Sequence, residues 1–236
     1  MNDEVLSPET NDEDPLIQKI SKSASVMQLV DALLKRPRSF FHHIQSDEFS
    51  LNNSLKLTLI ALIGLLIYGF IMGSFTGNIQ WIASPIKIIM GTTLTALLCY
   101  PSLYILVALS GADLRPSQIG ILLISSIALT AILLLGFAPV AFIFTFSIQT
   151  LPFMGVIHLI LWLGSLYFSL DYLSKGLVQM GSKDVSLVKF WLVIFMVTLL
   201  QMSTTLRPIL GQEDYLLTTE KKFFLQHWFE SLDKAH

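Results

Sequence analysis

The sequence predicts an all-α fold: a polytopic membrane helix bundle of five transmembrane helices, with amphipathic interfacial helices at both ends. Three observations predict it. Of 236 residues, 53% are hydrophobic and only 14% are charged, against about 25% charged in soluble domains. The charges also avoid the middle of the chain, since between Lys56 and Lys189 only Lys87, Asp113, Arg115, Asp171, Lys175, Lys183 and Asp184 intervene. That interval divides into apolar stretches of about 20 residues or more, the length needed to cross hydrocarbon. The same composition excludes two other classes. A net charge of −2 with no basic face does not suit a nucleic-acid binder. The single cysteine, Cys99, lies inside an apolar run and excludes a disulfide scaffold.

The first span is Leu57–Phe75 and the second Ile86–Leu109, bracketed by Pro85 and the turn Ser110-Gly111-Ala112-Asp113. The third opens at Pro116, a favourable first-turn proline, and runs to about Ser147. It is long for one crossing, and Pro139 is expected to kink it. Splitting it at Gly136–Pro139 would leave two pieces too short to span, so it stays one tilted helix. The fourth is Pro152–Asp171, and the fifth, Leu187–Leu206, is stopped by Arg207-Pro208. An odd number of spans places the termini on opposite sides.

Basic residues near the spans set the orientation. With the N-terminus inside, the cytoplasmic side carries Lys19, Lys22, Lys35, Arg36, Arg38, Lys56, Arg115, Lys175, Lys183 and Lys189. The outer side carries half as many: Lys87, Arg207, Lys221, Lys222 and Lys234. The expected placement is a bacterial inner membrane, N-terminus in and C-terminus out. The acidic start of the chain does not read as a cleavable signal peptide, and the first span would serve as an uncleaved anchor.

Four regions follow. Residues 1–15 hold six acids and no base, which predicts a disordered tail. Residues 16–50 hold an amphipathic helix over Leu16–Lys35, with Ile17, Ile20, Ala24, Met27 and Leu34 at helical spacings, then the basic-aromatic stretch Lys35-Arg36-Pro37-Arg38-Ser39-Phe40-Phe41-His42-His43. Lys35, Arg36 and Arg38 suit an anionic lipid surface, at roughly 1 kcal/mol each, besides their role in topology. His42 and His43 lack a third ligand at metal spacing. Residues 51–210 form the transmembrane domain. Residues 211–236 carry Phe223, Phe224, Leu225, Trp228, Phe229 and Leu232 among charges, which predicts an external helix lying on the membrane or docking a partner.

No Asp or Glu lies in the middle of any of these spans, which argues against proton- or cation-coupled transport. His158 is the ionisable side chain well inside, six residues past Pro152, while Gln201 lies six residues before Arg207. Both depths are about 9 Å from the outer side at 1.5 Å per residue, so a hydrogen bond between the fourth and fifth spans is expected, either for packing or at an outward-facing site. Gly69 and Gly73 have the spacing that lets helix backbones approach, and Ser165 and Ser169 repeat it. Thr92, Thr93, Thr95, Ser125, Ser126 and Thr130 are expected to satisfy their own backbone carbonyls. No phosphate-binding loop, zinc-protease motif or nucleophile elbow is present, and Gln201 is a poor orienting group for a catalytic histidine. The expectation is a protein without catalytic, cofactor or metal residues.

Two stretches resemble the Yip1-domain membrane proteins. Leu33-Leu34-Lys35-Arg36-Pro37-Arg38-Ser39-Phe40-Phe41 is similar to the family's approach to its first span, and Ser110-Gly111-Ala112-Asp113-Leu114-Arg115-Pro116-Ser117-Gln118 to its loop before the third. The resemblance covers about residues 33–210 and implies five spans with a cytoplasmic N-terminus. In eukaryotic members it implies vesicle trafficking with Rab-type partners, but the Asp-Leu-Tyr-Gly-Pro signature has no counterpart here, and the tail Thr205–Gly211 instead resembles a segment of uncharacterised bacterial membrane proteins. The expected function is a membrane scaffold or accessory subunit, partnered by the bilayer and by other membrane proteins or a second copy. The alternative is a small transporter or channel subunit for a lipid or an uncharged solute.

Overall fold

The computed structural model describes residues 24–75, 80–147 and 151–205. The acidic tail, the first part of the N-terminal amphipathic helix and the C-terminal aromatic helix lie outside the described residues. Within them the chain forms seven helices and no strand: α1 Val26–Lys35, α2 Pro37–Gln45, α3 Leu51–Ser74, α4 Gln80–Leu109, α5 Pro116–Ser147, α6 Leu151–Gln179 and α7 Val185–Thr205. Four of them, α3 to α6, are long and apolar enough to cross a membrane, and the apolar part of α7 among the described residues, Ser186–Met202, is shorter.

Local chemistry sets the helix ends. Ser25 caps α1, accepting from Gln28 N while the Gln28 side chain accepts from Ser25 N, a reciprocal capping box. Pro37 opens α2 at a position where its missing N–H costs nothing. Ser50 accepts from Asn53 N, so α3 starts one and a half turns before the apolar run does. α4 and α6 end alike. Gly111 (φ 82°) and Gly181 (φ 112°) take the left-handed conformation, and the next residues, Ala112 and Ser182, donate back to Val107 and Leu177 carbonyls.

Expected boundaries move at the start of α4 and at the end of α6, while α5 keeps its expected bounds. α4 begins before Pro85 and runs through both Pro85 and Pro101, because helices within a bundle re-satisfy the carbonyls a proline frees. α5 likewise continues through Pro139. α6 extends past Asp171 to Gln179, carried onward by the Asp171–Lys175 pair at 2.6 Å.

The five long helices form a ring. α3 packs along α4 and α5, α5 along α6, and α4 along α7, while α6 and α7 meet only slightly. The loosest seam therefore lies between α6 and α7. One end of the ring is capped by α1 and α2. Lys56 Nζ donates to Ala24 O at 2.7 Å, Gln118 Nε2 to Gln45 O at 2.9 Å, and Gln179 Nε2 to Arg38 O at 2.9 Å. The α4–α5 and α6–α7 turns join there too, through Ser110 Oγ and Ser182 Oγ at 2.7 Å and Lys183 N to Ser110 O at 3.0 Å.

The cap corrects the surface-helix reading of residues 24–45. The face that is buried is Ala24, Leu29, Ala32 and Leu33, covered by protein, whereas Met27 is 76% exposed and points away. Phe40 and Phe41 are fully buried rather than laid against lipid. Phe40 meets Phe49 edge-on at 5.2 Å, and Phe41 meets Tyr172 at 4.7 Å. The bundle end offers these rings an apolar seat, which a single amphipathic helix read in isolation does not reveal.

Candidate functional site

The far end of the ring, opposite the cap, holds the polar groups that need explaining. His158 on α6 is fully buried, and its Nδ1 lies 2.9 Å from the Tyr68 hydroxyl on α3. The rings meet edge-on at 5.6 Å. With Tyr68 donating, the imidazole keeps its hydrogen on Nε2, and that atom is buried with no hydrogen-bond partner. The bond expected between His158 and Gln201 is therefore not formed. α6 packs on α5 and α7 packs on α4, so matching depth does not bring these two side chains together. Gln201 is half-buried on α7 and makes its own interaction elsewhere.

Two neighbours place this pair in the ring. Tyr68 shares a core cluster with Ile88 of α4 and with Leu134 and Ala141 of α5. Next to it, a Cβ on Gly69 would lie 2.5 Å from Pro85 Cα, so α3 and α4 touch backbone to backbone at this level. Gly73 is buried one turn further on. Two other glycines, which the spacing rule did not single out, have the same use. A Cβ on Gly64 would meet Ala131 Cβ at 2.9 Å, and one on Gly176 would meet Leu122 and Phe41 side chains at 2.8 and 2.9 Å.

Lys87 is the second buried polar group at this end. Its side chain on α4 is 5% exposed and has no hydrogen bond or ion pair among the described residues. Sequence reading placed it at a loop edge; the early start of α4 puts it seven residues inside the helix. The hydroxyls behave more simply. Ser125 and Thr130 donate to Ile121 O and Ser126 O on their own helix, but Ser126 crosses to Ser169 O at 2.7 Å and ties α5 to α6. Thr95 Oγ1 is buried without a partner.

Below these groups, toward the cap, a crevice of about 10 Å³ is lined by all five helices, including Leu65, Thr92, Ser126, Trp162, Leu166, Phe195 and Leu199. That is room for about one water. On the cap, Lys35, Arg36 and Arg38 are exposed. Lys35 and Arg36 both reach Asp31 at 2.7 Å, and these bonds, Lys35 first, hold its carboxyl below the ordinary 3.8. Arg115 pairs with Asp47 beside them, and buried His43 lies 3.3 Å from Glu48.

No protein-family model, curated protein or solved structure matches this chain.

Tyr68 and Lys87 are what sequence reading missed. A tyrosine in mid-span needs a partner for its hydroxyl, and a lysine within an apolar run is a functional residue by default. Both signals were present.

Proposed function

We propose that the chain is a five-span protein of a bacterial inner membrane, N-terminus inside and C-terminus outside, acting as a non-catalytic scaffold or accessory subunit. α7 is the fifth span in this reading, which the resemblance of residues 33–41 and 110–118 to Yip1-domain proteins supports. The observation that carries it is the cap. α1 and α2 close one end of the ring with buried Leu29, Phe40, Phe41 and Ile44, while Lys35, Arg36 and Arg38 are exposed on it. Positive charge on a rigid face beside an anionic leaflet suits docking to lipid headgroups or to an acidic surface of another membrane protein. The crevice lined by five helices supports a second reading, a transporter or channel subunit for a lipid or an uncharged solute.

Two measurements test this. A reporter active only outside the cytoplasm should work after His236 and fail before Met1; equal behaviour at both ends overturns five spans. Crosslinking in native membranes should then trap a protein neighbour that is lost when Lys35, Arg36 and Arg38 are all changed to alanine. Solute or lipid flux through vesicles of the pure protein would instead favour the second reading.

A further inference from the structure

The hairpins α4–α5 and α6–α7 repeat one arrangement. Each first helix ends at a left-handed glycine, Gly111 or Gly181, and the residue after it donates back to Val107 O or Leu177 O, so the two turns match at a shift of 70 residues. The buried positions of α4 and α6 keep that register, as in Cys99 with Ser169 and Leu103 with Leu173. α7 starts one residue sooner after its glycine than α5 does, and a shift of 69 pairs buried Ile119 with Val188 and Leu122 with Trp191. The second helix of each hairpin packs on the first helix of the other, α5 on α6 and α7 on α4.

The crevice lies between the two hairpins, and three such pairs line it: Thr92 with Trp162, Ser126 with Phe195, and Thr130 with Leu199. At each pair one hairpin presents a hydroxyl and the other a large apolar side chain. The space of about 10 Å³ that these walls leave has room for about one water. The hydroxyl hydrogens are not equally committed. Ser126 Oγ donates to Ser169 O and Thr130 Oγ1 to Ser126 O, and each oxygen keeps lone pairs that can accept. Thr92 is nine-tenths buried, and its hydroxyl makes no hydrogen bond among the described residues. A threonine inside a helix has its own backbone carbonyls within reach, and Thr130 uses one while Thr92 does not.

We propose that the crevice is a binding site for one water, near the middle of α4 and α5. The Thr92 hydroxyl donates to the water, and the water donates to Ser126 Oγ and Thr130 Oγ1. That makes the three bonds usual for a buried water, with every donor matched to an acceptor. No charged side chain lines the space, so a neutral molecule of water's size fits it and an ion does not. The site rests on the packing of the ring, so failure of the scaffold reading leaves it untouched.

The test is a pair of crystal structures of the full chain grown from a lipid mesophase, one of them under xenon pressure, because xenon enters dry apolar cavities. The native crystal should show one density peak within hydrogen-bond distance of Thr92 Oγ1, Ser126 Oγ and Thr130 Oγ1, and xenon should not replace it. Thr92→Val keeps the shape and removes the donor, so the peak should be lost and the unfolding temperature should fall. Xenon in the native crevice, or no peak between the three oxygens, overturns the proposal. An unfolding temperature that holds or rises in Thr92→Val also overturns it, since the new methyl would then be filling a dry void. If Thr92→Val does not fold, Thr92→Ser retains the hydroxyl and should keep the peak; its loss there counts against the site, and the xenon result on the native chain needs no variant.

Discussion

At the capped end Ser110, Ser182, Gln45, Gln118 and Gln179 each hydrogen-bond across a boundary between elements, whereas at the far end His158 Nε2 and Lys87 are buried with no hydrogen bond among the described residues. The glutamines and serines of the cap bond to backbone carbonyls and to each other, which fixes two short helices on five long ones. Such a region is built to stay as it is. Leaving polar groups unanswered in a packed interior costs roughly 1–3 kcal/mol each. The difference is one of degree, because the Tyr172 hydroxyl beside Phe41 at the capped end is also buried without a partner among the described residues.

The largest expected effect lies in the cap. Phe40→Ala empties a fully buried seat against Phe49 and should cost about 3–5 kcal/mol, read as a lower unfolding temperature and early proteolysis between α2 and α3. If the protein instead loses almost nothing, the cap is a loosely held appendage and the contrast between the ends fails.

Next comes the α3–α4 contact. Gly69→Ala forces Pro85 backbone, not a flexible side chain, to move, and about 1–3 kcal/mol of overpacking is expected. Gly176→Ala meets only side-chain ends of Leu122 and Phe41 and should cost less. The reverse order would show that α3 and α4 do not seat as described.

The Tyr68–His158 bond should be a small term. Tyr68→Phe is expected to cost about 0.6 kcal/mol, and His158→Leu no more than about 1 kcal/mol, as for other hydrogen bonds between membrane helices. A double-mutant cycle measures the coupling. Coupling well above that range would make the pair a structural clamp between α3 and α6.

The smallest effect is at Asp31. Its carboxyl is held below 3.8 by Lys35 and Arg36, so the folded state binds the proton less readily than the unfolded one. The stabilisation is fully present above pH 3.8 and is lost as pH falls through the lowered folded value. Asp31→Asn should flatten that acid limb of the unfolding curve slightly, and added salt should mimic it.

Much of the fold was legible in the residues because lipid imposes a simple rule. Hydrocarbon tolerates only long apolar helices, so counting apolar runs located α3 to α6, and Pro116 and the Ser110–Asp113 turn marked the α4–α5 connection to the residue. Depth was legible as well, since rise per residue is constant. Neighbourhood was not. His158 was placed at a sensible depth but given the wrong partner, because ring order follows from which faces pack, and near-uniform apolar helices carry almost no facial pattern to read. The same blindness sent Phe40 and Phe41 to the lipid. A sequence shows that a ring is greasy, and only packing says whether lipid or protein covers it.

What the sequence by itself determined is the solvent, the helices and the distribution of charge, all of which depend on residues taken one span at a time. What the tertiary structure decided is the ring order, the protein-covered cap, the Tyr68–His158 bond and the isolation of Lys87. Those depend on long-range contacts between helices, which are selected by close backbone approach at Gly64 and Gly69 and by the fit of side chains, as at Gly176, rather than by any local pattern.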